Sequence, residues 1–227
     1  MVIVMKRCLM IIVMLFLAGC INPPTGDVVK EPGYGDEVKI AEIAIEVLDS
    51  SRCDKITVSS IKDMCYTEIG IKTNSIETCD KAEDEKSKDY CYEKIALENS
   101  EKELCKLMGT QYWKDICYKE VSVKLNDYSD CGEIKDDTQR WYCFWKIGVT
   151  INDSKACLLI DYDIHVDNCL RGVAVNLGDE EVCESSKTAL ARDVCLIKVA
   201  KETEDFDVCD KIISSEIKDK CNSYYKG

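Results

Sequence analysis

Apolar and polar positions over residues 49–227 recur with a period of 26, and within each period they follow helical spacing. Cys65, Tyr66 and Ile69, with the small Gly70 beside them, fall on one face of a predicted helix. Cys91, Tyr92, Ile95 and Ala96 match them one period later, followed by Cys117, Tyr118, Val121 and Ser122, and by Cys143, Phe144, Ile147 and Gly148. The pattern predicts one longer helix per repeat, with the small residue allowing a neighbouring helix to approach closely. Ahead of it, stretches such as "SSRCDKI" and "FDVCDKI" predict a short helix of about seven residues that carries the repeat's first cysteine. Runs of Ser, Thr and Asp ("TVSS", "DDT", "ISS") predict the turn between the two. The first position of a repeat is mostly Asp and follows Asn74, Asn126, Asn152 or Gly178, residues suited to ending a helix in the left-handed conformation. One helix therefore stops and the next is capped at once.

The cysteines fix the period. Apart from Cys8 and Cys20 they are Cys53, Cys65, Cys79, Cys91, Cys105, Cys117, Cys131, Cys143, Cys157, Cys169, Cys183, Cys195, Cys209 and Cys221, with gaps alternating between twelve and fourteen. This gives seven repeats, starting at Asp49, Ser75, Glu101, Asp127, Asp153, Asp179 and Asp205. A hairpin turning near residues 58–59 puts Cys53 and Cys65 roughly 8–9 Å along their respective arms, at the same height. Across the fourteen-residue gap the arms differ by about 6 Å, too much for a bond that needs close Cα atoms. The expected disulfides therefore pair Cys53 with Cys65, Cys79 with Cys91, Cys105 with Cys117, Cys131 with Cys143, Cys157 with Cys169, Cys183 with Cys195 and Cys209 with Cys221. Each closes a loop worth about 3 kcal/mol by the loop-entropy argument, which a helix too short to nucleate alone requires. Zinc and iron–sulfur sites want cysteines two to four residues apart, and redox or haem motifs want Cys-x-x-Cys; none occurs, so neither a metal nor a cofactor is expected.

Residues 36–48, "DEVKIAEIAIEVL", form a half-repeat: Ile43 and Ala44 sit in register, but Lys39 replaces the second cysteine, as suits a terminal capping helix. The segment 20–35 holds all three prolines (Pro23, Pro24, Pro32) with Gly26, Gly33 and Gly35, and reads as a tether. Residues 1–19 carry Lys6 and Arg7, a short apolar run and Leu17-Ala18-Gly19 before Cys20. That charged start and small-residue end are those of an export signal. "LAGC" resembles the lipobox of prokaryotic lipoproteins, and the resemblance implies cleavage before Cys20 and a lipid on its thiol, holding the protein to the outer face of the cytoplasmic membrane. With its "CDKI…IKD-x-CY" repeats, the chain is similar to cysteine-repeat lipoproteins of archaea, a resemblance that implies no activity. In architecture it is similar to tetratricopeptide and Sel1-like arrays, although the period of 26 and the bridging cysteines depart from both. The expected fold is an all-α solenoid of seven disulfide-stapled hairpins over residues 36–227, with an N-terminal capping helix.

A net charge of −13 disfavours nucleic acid as a partner, while 46% hydrophobic content is enough for a core. Lys62-Asp63, Lys88-Asp89, Lys114-Asp115, Arg192-Asp193 and Lys218-Asp219 read as a solvated flank at helix starts. His165, the only histidine, occupies a variable position and reads as incidental; without a Gly-x-Ser-x-Gly, a phosphate loop or His-Glu-x-x-His, no enzyme is expected. The tryptophans Trp113, Trp141 and Trp145, with Tyr142, are confined to the third and fourth repeats, and Trp141 replaces the Asp of the other repeats. Two readings stay open: a binding platform for a protein, peptide or glycan, or packing against a neighbouring element. The function classes that follow are a binding scaffold, a structural envelope spacer, or a solute-capturing lipoprotein.

Overall fold

The computed structural model describes residues 34–225. The expected signal segment, Cys20 and nearly all of the tether lie outside them. Long helices run at α1 (Tyr34–Val47), α2 (Ser59–Thr73), α3 (Glu85–Asn99), α4 (Gln111–Leu125), α5 (Asp137–Ile151), α6 (Asp163–Leu177), α7 (Ala189–Thr203) and α8 (Ser215–Tyr225). From α2 onward each lies against the next, and the segment between two consecutive long helices contacts both. There is no strand among the described residues, and the chain is an all-α helical-repeat solenoid.

The long helices end as the sequence predicts. Asn74, Asn126, Asn152 and Gly178 have φ between 53° and 64°, as do Ser100 and Glu204 at the equivalent positions. The next amide then reaches back to the last turn, as from Ser75 N to Gly70 O at 2.9 Å and Asp127 N to Ser122 O at 3.0 Å. Immediately afterwards Asp49, Ser75, Asp127, Asp153, Asp179 and Asp205 cap the short segment with their side chains. That segment is tighter than the predicted seven-residue helix. In five repeats it is a six-residue 3-10 turn (Ser50–Lys55, Lys102–Leu107, Tyr128–Glu133, Glu180–Ser185, Phe206–Lys211), and in two a one-turn α-helix (Ile76–Asp80, Ser154–Cys157). The span from the capping Asp to the turn holds only one turn of helix, and three-residue hydrogen bonds such as Ile56 N to Cys53 O at 3.0 Å close it.

Seven disulfides join cysteines twelve apart: Cys53–Cys65, Cys79–Cys91, Cys105–Cys117, Cys131–Cys143, Cys157–Cys169, Cys183–Cys195 and Cys209–Cys221. Their Cα atoms lie 5.4 to 5.8 Å from each other, and every one of these cysteines is fully buried. In each pair the first cysteine sits on the short segment and the second on the long helix after it, so the bridge spans the hairpin turn. The small residue of each long helix receives the next repeat's bridge: a Cβ on Gly70 would stand 2.8 Å from Cys79 Sγ and 2.9 Å from Cys91 Sγ. At Gly148 it would stand 3.1 Å from Ala156 Cβ and 3.4 Å from Cys157 Sγ. Ala44, Ala96, Ser122, Ala174 and Ala200 occupy the same place, all without exposure. The close approach predicted from helix spacing is thus between a helix and the neighbouring sulfur bridge. Tyr66, Tyr92, Tyr118, Phe144, Leu170 and Leu196 follow the second cysteine into the core, and the Tyr66 and Tyr92 hydroxyls donate to Asp54 and Asp80 of their own hairpins.

The Lys-Asp flank requires correction. Asp63, Asp89, Asp115 and Asp193, with Asp167 at the same position, are 1 to 8% exposed, not solvated. Each carboxylate reaches into the turn of the following repeat and accepts from backbone amides 20 or 21 residues on. Asp63 takes Glu83 N (2.7 Å) and Asp84 N (3.2 Å), and Asp89 takes Gly109 N (2.8 Å) and Thr110 N (3.0 Å). Asp115 takes Lys135 N and Asp136 N, both at 2.9 Å, Asp167 takes Lys187 N at 2.7 Å, and Asp193 takes Ile213 N and Ser214 N. In the capping helix Glu37 stands in register and takes Thr57 N and Val58 N, so α1 docks by the same device. Buried loop amides need acceptors, and a carboxylate meets two at once. Asp219, in the last repeat, is exposed.

Asp115→Ala strips two part-buried turn amides of their acceptor and is expected to lower stability by about 1–3 kcal/mol in urea denaturation with disulfides intact, while Asp219→Ala changes it by less than about 0.5 kcal/mol. Burial, then the bond to Asp54, pushes the Tyr66 hydroxyl up to about 12. Its contribution to stability is complete below the ordinary tyrosine value of about 10 and is lost as pH rises towards 12. Alkaline titration followed by circular dichroism should show a loss over that window that is smaller in Tyr66→Phe.

Candidate functional site

The six carboxylate clamps set the background for the tryptophans. At the fourth repeat the clamp position is Trp141, so the amides of Asp161 and Tyr162, at the matching distance of 20 and 21 residues, have no carboxylate in register with them. The half-buried indole lies flat on His165 of the next repeat, with ring centroids 3.8 Å apart and planes 6° from parallel. Tyr162 meets the other edge of the imidazole at 6.1 Å, and Tyr142 meets Trp141 at 6.1 Å and Trp145 at 5.7 Å. The result is a continuous aromatic row, Trp145, Tyr142, Trp141, His165 and Tyr162, crossing from α5 to the start of α6.

Trp113 belongs to a separate group. It makes edge contacts with Tyr90 of the preceding repeat at 5.9 Å and with Tyr112 at 5.7 Å. All three tryptophans are half-buried against the main core cluster, and the exposed surface of both groups is tyrosine: Tyr112, Tyr142 and Tyr162 are 68%, 39% and 46% exposed. The indoles pack inward against the core, and the tyrosines beside them stand at the surface. His165, which reads as incidental in the sequence, is the ring that joins Trp141 to Tyr162 in the row.

Polar contacts frame the row. Arg140 reaches Asp137 at 2.5 Å and Asp161 at 2.8 Å, and also donates to Ile134 O at 3.0 Å. Tyr162 donates its hydroxyl to Asp137 at 3.1 Å. The bond from Arg140 holds the Asp137 carboxyl below its ordinary value, and the bond to Asp137 raises the Tyr162 hydroxyl. These side-chain ties join the fourth and fifth repeats where the backbone clamp is missing. They are exposed, hence weak and adjustable compared with a buried carboxylate on two amides.

Two open clefts lie between long helices. One, of about 290 Å³, sits between α2 and α3 with Met64, Lys86 and Tyr90 in its walls. The other, of about 310 Å³, sits between α6 and α7 and includes Asn168, Arg171, Gly172, Lys198 and Glu202. No protein-family model, curated protein or solved structure matches the chain. The site is thus defined by its departure from the chain's own repeat.

Trp141→Asp restores the repeat's own residue, with the Asp161 and Tyr162 amides as acceptor-seeking partners. The urea midpoint of this variant is expected to equal or exceed that of the parent, whereas Asp115→Trp, the reverse exchange one repeat earlier, is expected to lower it.

Proposed function

We propose that the protein is a non-enzymatic, extracytoplasmic scaffold, anchored by lipid on Cys20, that binds a partner through the aromatic row of the fourth and fifth repeats. One observation carries this reading: in a ladder where six positions hold a carboxylate clamp, the seventh gives it up for an indole stacked on the chain's only histidine. Departures from a local rule without a gain in stability mark functional sites. Tyr and Trp rings provide large, rigid contact area with polar edges, the usual chemistry of protein and glycan recognition.

The disulfides point to an oxidising, extracytoplasmic setting. No helix among the described residues is long and apolar enough to cross a membrane. The lipid anchor rests on the "LAGC" sequence alone. Open, shallow clefts favour a partner that lies along the surface over a captured solute. A spacer without ligand would have no use for the exposed Tyr112, Tyr142 and Tyr162 beside the indoles.

The test uses the immobilised full chain and solubilised envelope from its own source. A partner retained by the parent and lost from the Trp141→Asp, Trp145→Ala double variant, with circular dichroism unchanged, supports the reading; equal retention by both sinks it. A labelled lipid precursor fed to expressing cells should mark the parent and leave Cys20→Ser unmarked.

A further inference from the structure

At the end of α5 the chain reads Asn152-Asp153-Ser154. Of its eight asparagines, only Asn152 has a serine or threonine two residues on. Asn-x-Ser and Asn-x-Thr are the acceptor sequences for N-linked glycans in exported chains, and the seven buried disulfides point to such a chain. The fold accounts for two of the three residues. Asn152 holds φ 59°, a conformation that asparagine tolerates, as at Asn74 and Asn126, and Asp153 caps the short segment after it. Nothing in the repeat asks for Ser154: the same position carries Ser50, Ile76, Lys102, Tyr128, Glu180 and Phe206, and among the described residues its hydroxyl has no hydrogen bond.

Asn152 also differs from its counterparts in what stands beside it. Asn74 Oδ1 accepts from Asn99, the last residue of the next long helix, at 2.9 Å, and a Cβ on Gly178 would stand 3.1 Å from Thr203 Cγ2. The residue that ends one long helix therefore meets the residue 25 positions on. That offset sets Leu177 beside Asn152, and a leucine offers an amide no partner. Asn152 is exposed, and among the described residues its side chain has no hydrogen bond, so its Nδ2 is free to react.

Leu177 belongs to an apolar edge. From α2 to α7 the last helical residues are Thr73, Asn99, Leu125, Ile151, Leu177 and Thr203. The three apolar ones are consecutive, on α4, α5 and α6, and are 41 to 51% exposed. Exposed apolar side chains gathered on neighbouring helices mark a surface that something covers, or a liability. Asn152 directly follows the middle one, so the acceptor sequence itself names the cover.

We propose that Asn152 carries an N-linked glycan whose first sugars lie over Ile151 and Leu177. In the transfer, Asn152 Nδ2 attacks the anomeric carbon of an oligosaccharide carried on a lipid pyrophosphate. The bond from that carbon to nitrogen forms, its bond to the phosphate oxygen breaks, the lipid pyrophosphate departs and the amide gives up one proton, with no change of oxidation state. The Ser154 hydroxyl is the group that the transferring enzyme reads. The site lies at the C-terminal edge of the long helices and is independent of the partner-binding reading of the aromatic row.

The experiment isolates the full chain from its own source and digests it with trypsin, which frees residues 147–155, a cysteine-free peptide that holds the whole acceptor sequence. Mass spectrometry should find this peptide heavier by a glycan, with sugar fragment ions and attachment at Asn152. Ser154→Ala should lose the added mass and Ser154→Thr should keep it, a split that a merely structural serine would not give. Asn152→Gln should lose it as well, with circular dichroism at intact disulfides reporting the fold of each variant. The Ser154→Ala protein should also bind more of an apolar dye than the parent, and adding Leu177→Thr should bring that binding back down. A bare peptide as the main form in the native protein, or a glycan that survives Ser154→Ala, overturns the modification. Equal dye binding by the glycosylated parent and Ser154→Ala overturns the covering of the edge.

Discussion

A single 3-10 turn of six residues has almost no stability of its own, since fixing its dihedral angles gains only two or three poor hydrogen bonds. The Cys53–Cys65 bond and its six copies, down to Cys209–Cys221, remove that obstacle by tying each turn covalently to the long helix that follows it. Everything else in the stack uses the hairpin this produces. The bridge is also the packing element, since its sulfurs fill the recess left by Gly70, Ala96, Ser122, Gly148, Ala174 or Ala200 on the preceding helix. Covalent closure and inter-repeat packing are thus one feature seen from two sides.

Joining hairpins into a stack raises a different problem, because each turn between short segment and long helix carries part-buried amides whose acceptor comes from outside its own repeat. The preceding repeat supplies the acceptor, and α1 shows that the device does not depend on a disulfide: Glu37 performs it from a helix with no cysteine. At the Trp141 junction this source of order is absent, and an aromatic stack with an exposed Arg140 and Asp137 network takes its place. The aromatic row therefore lies at the one junction, among the described residues, that lacks a carboxylate on the next turn's amides.

The sequence makes some of this legible and hides the rest for physical reasons. The cysteine ladder is readable because a covalent bond needs a fixed pair of residues, and two unequal gaps leave only one register that helix geometry permits. Asn74 and its equivalents are readable because few residue types accept a positive φ. Asp63 and its copies are easily misread because their partners are backbone amides, which leave no mark in residue identity, and because a neighbouring lysine makes a buried carboxylate look solvated. His165 escapes notice because its partner, Trp141, is 24 residues away, an offset that acquires meaning only once the contact between successive long helices is known. The half-burial of the indoles likewise depends on tertiary packing that periodicity does not encode.

The carboxylate of one repeat takes backbone amides at every clamp, with a threonine hydroxyl added only at Glu37 and Asp89, and so distinguishes little between the modules that could come next. Hairpins received by Asp63, Asp89, Asp115, Asp167 and Asp193 are interchangeable in principle, and such a ladder can be lengthened, shortened or reshuffled in whole units without redesigning a seam. The fourth and fifth modules are the exception, since indole and imidazole must stay neighbours. They form an indivisible cassette within an otherwise modular chain.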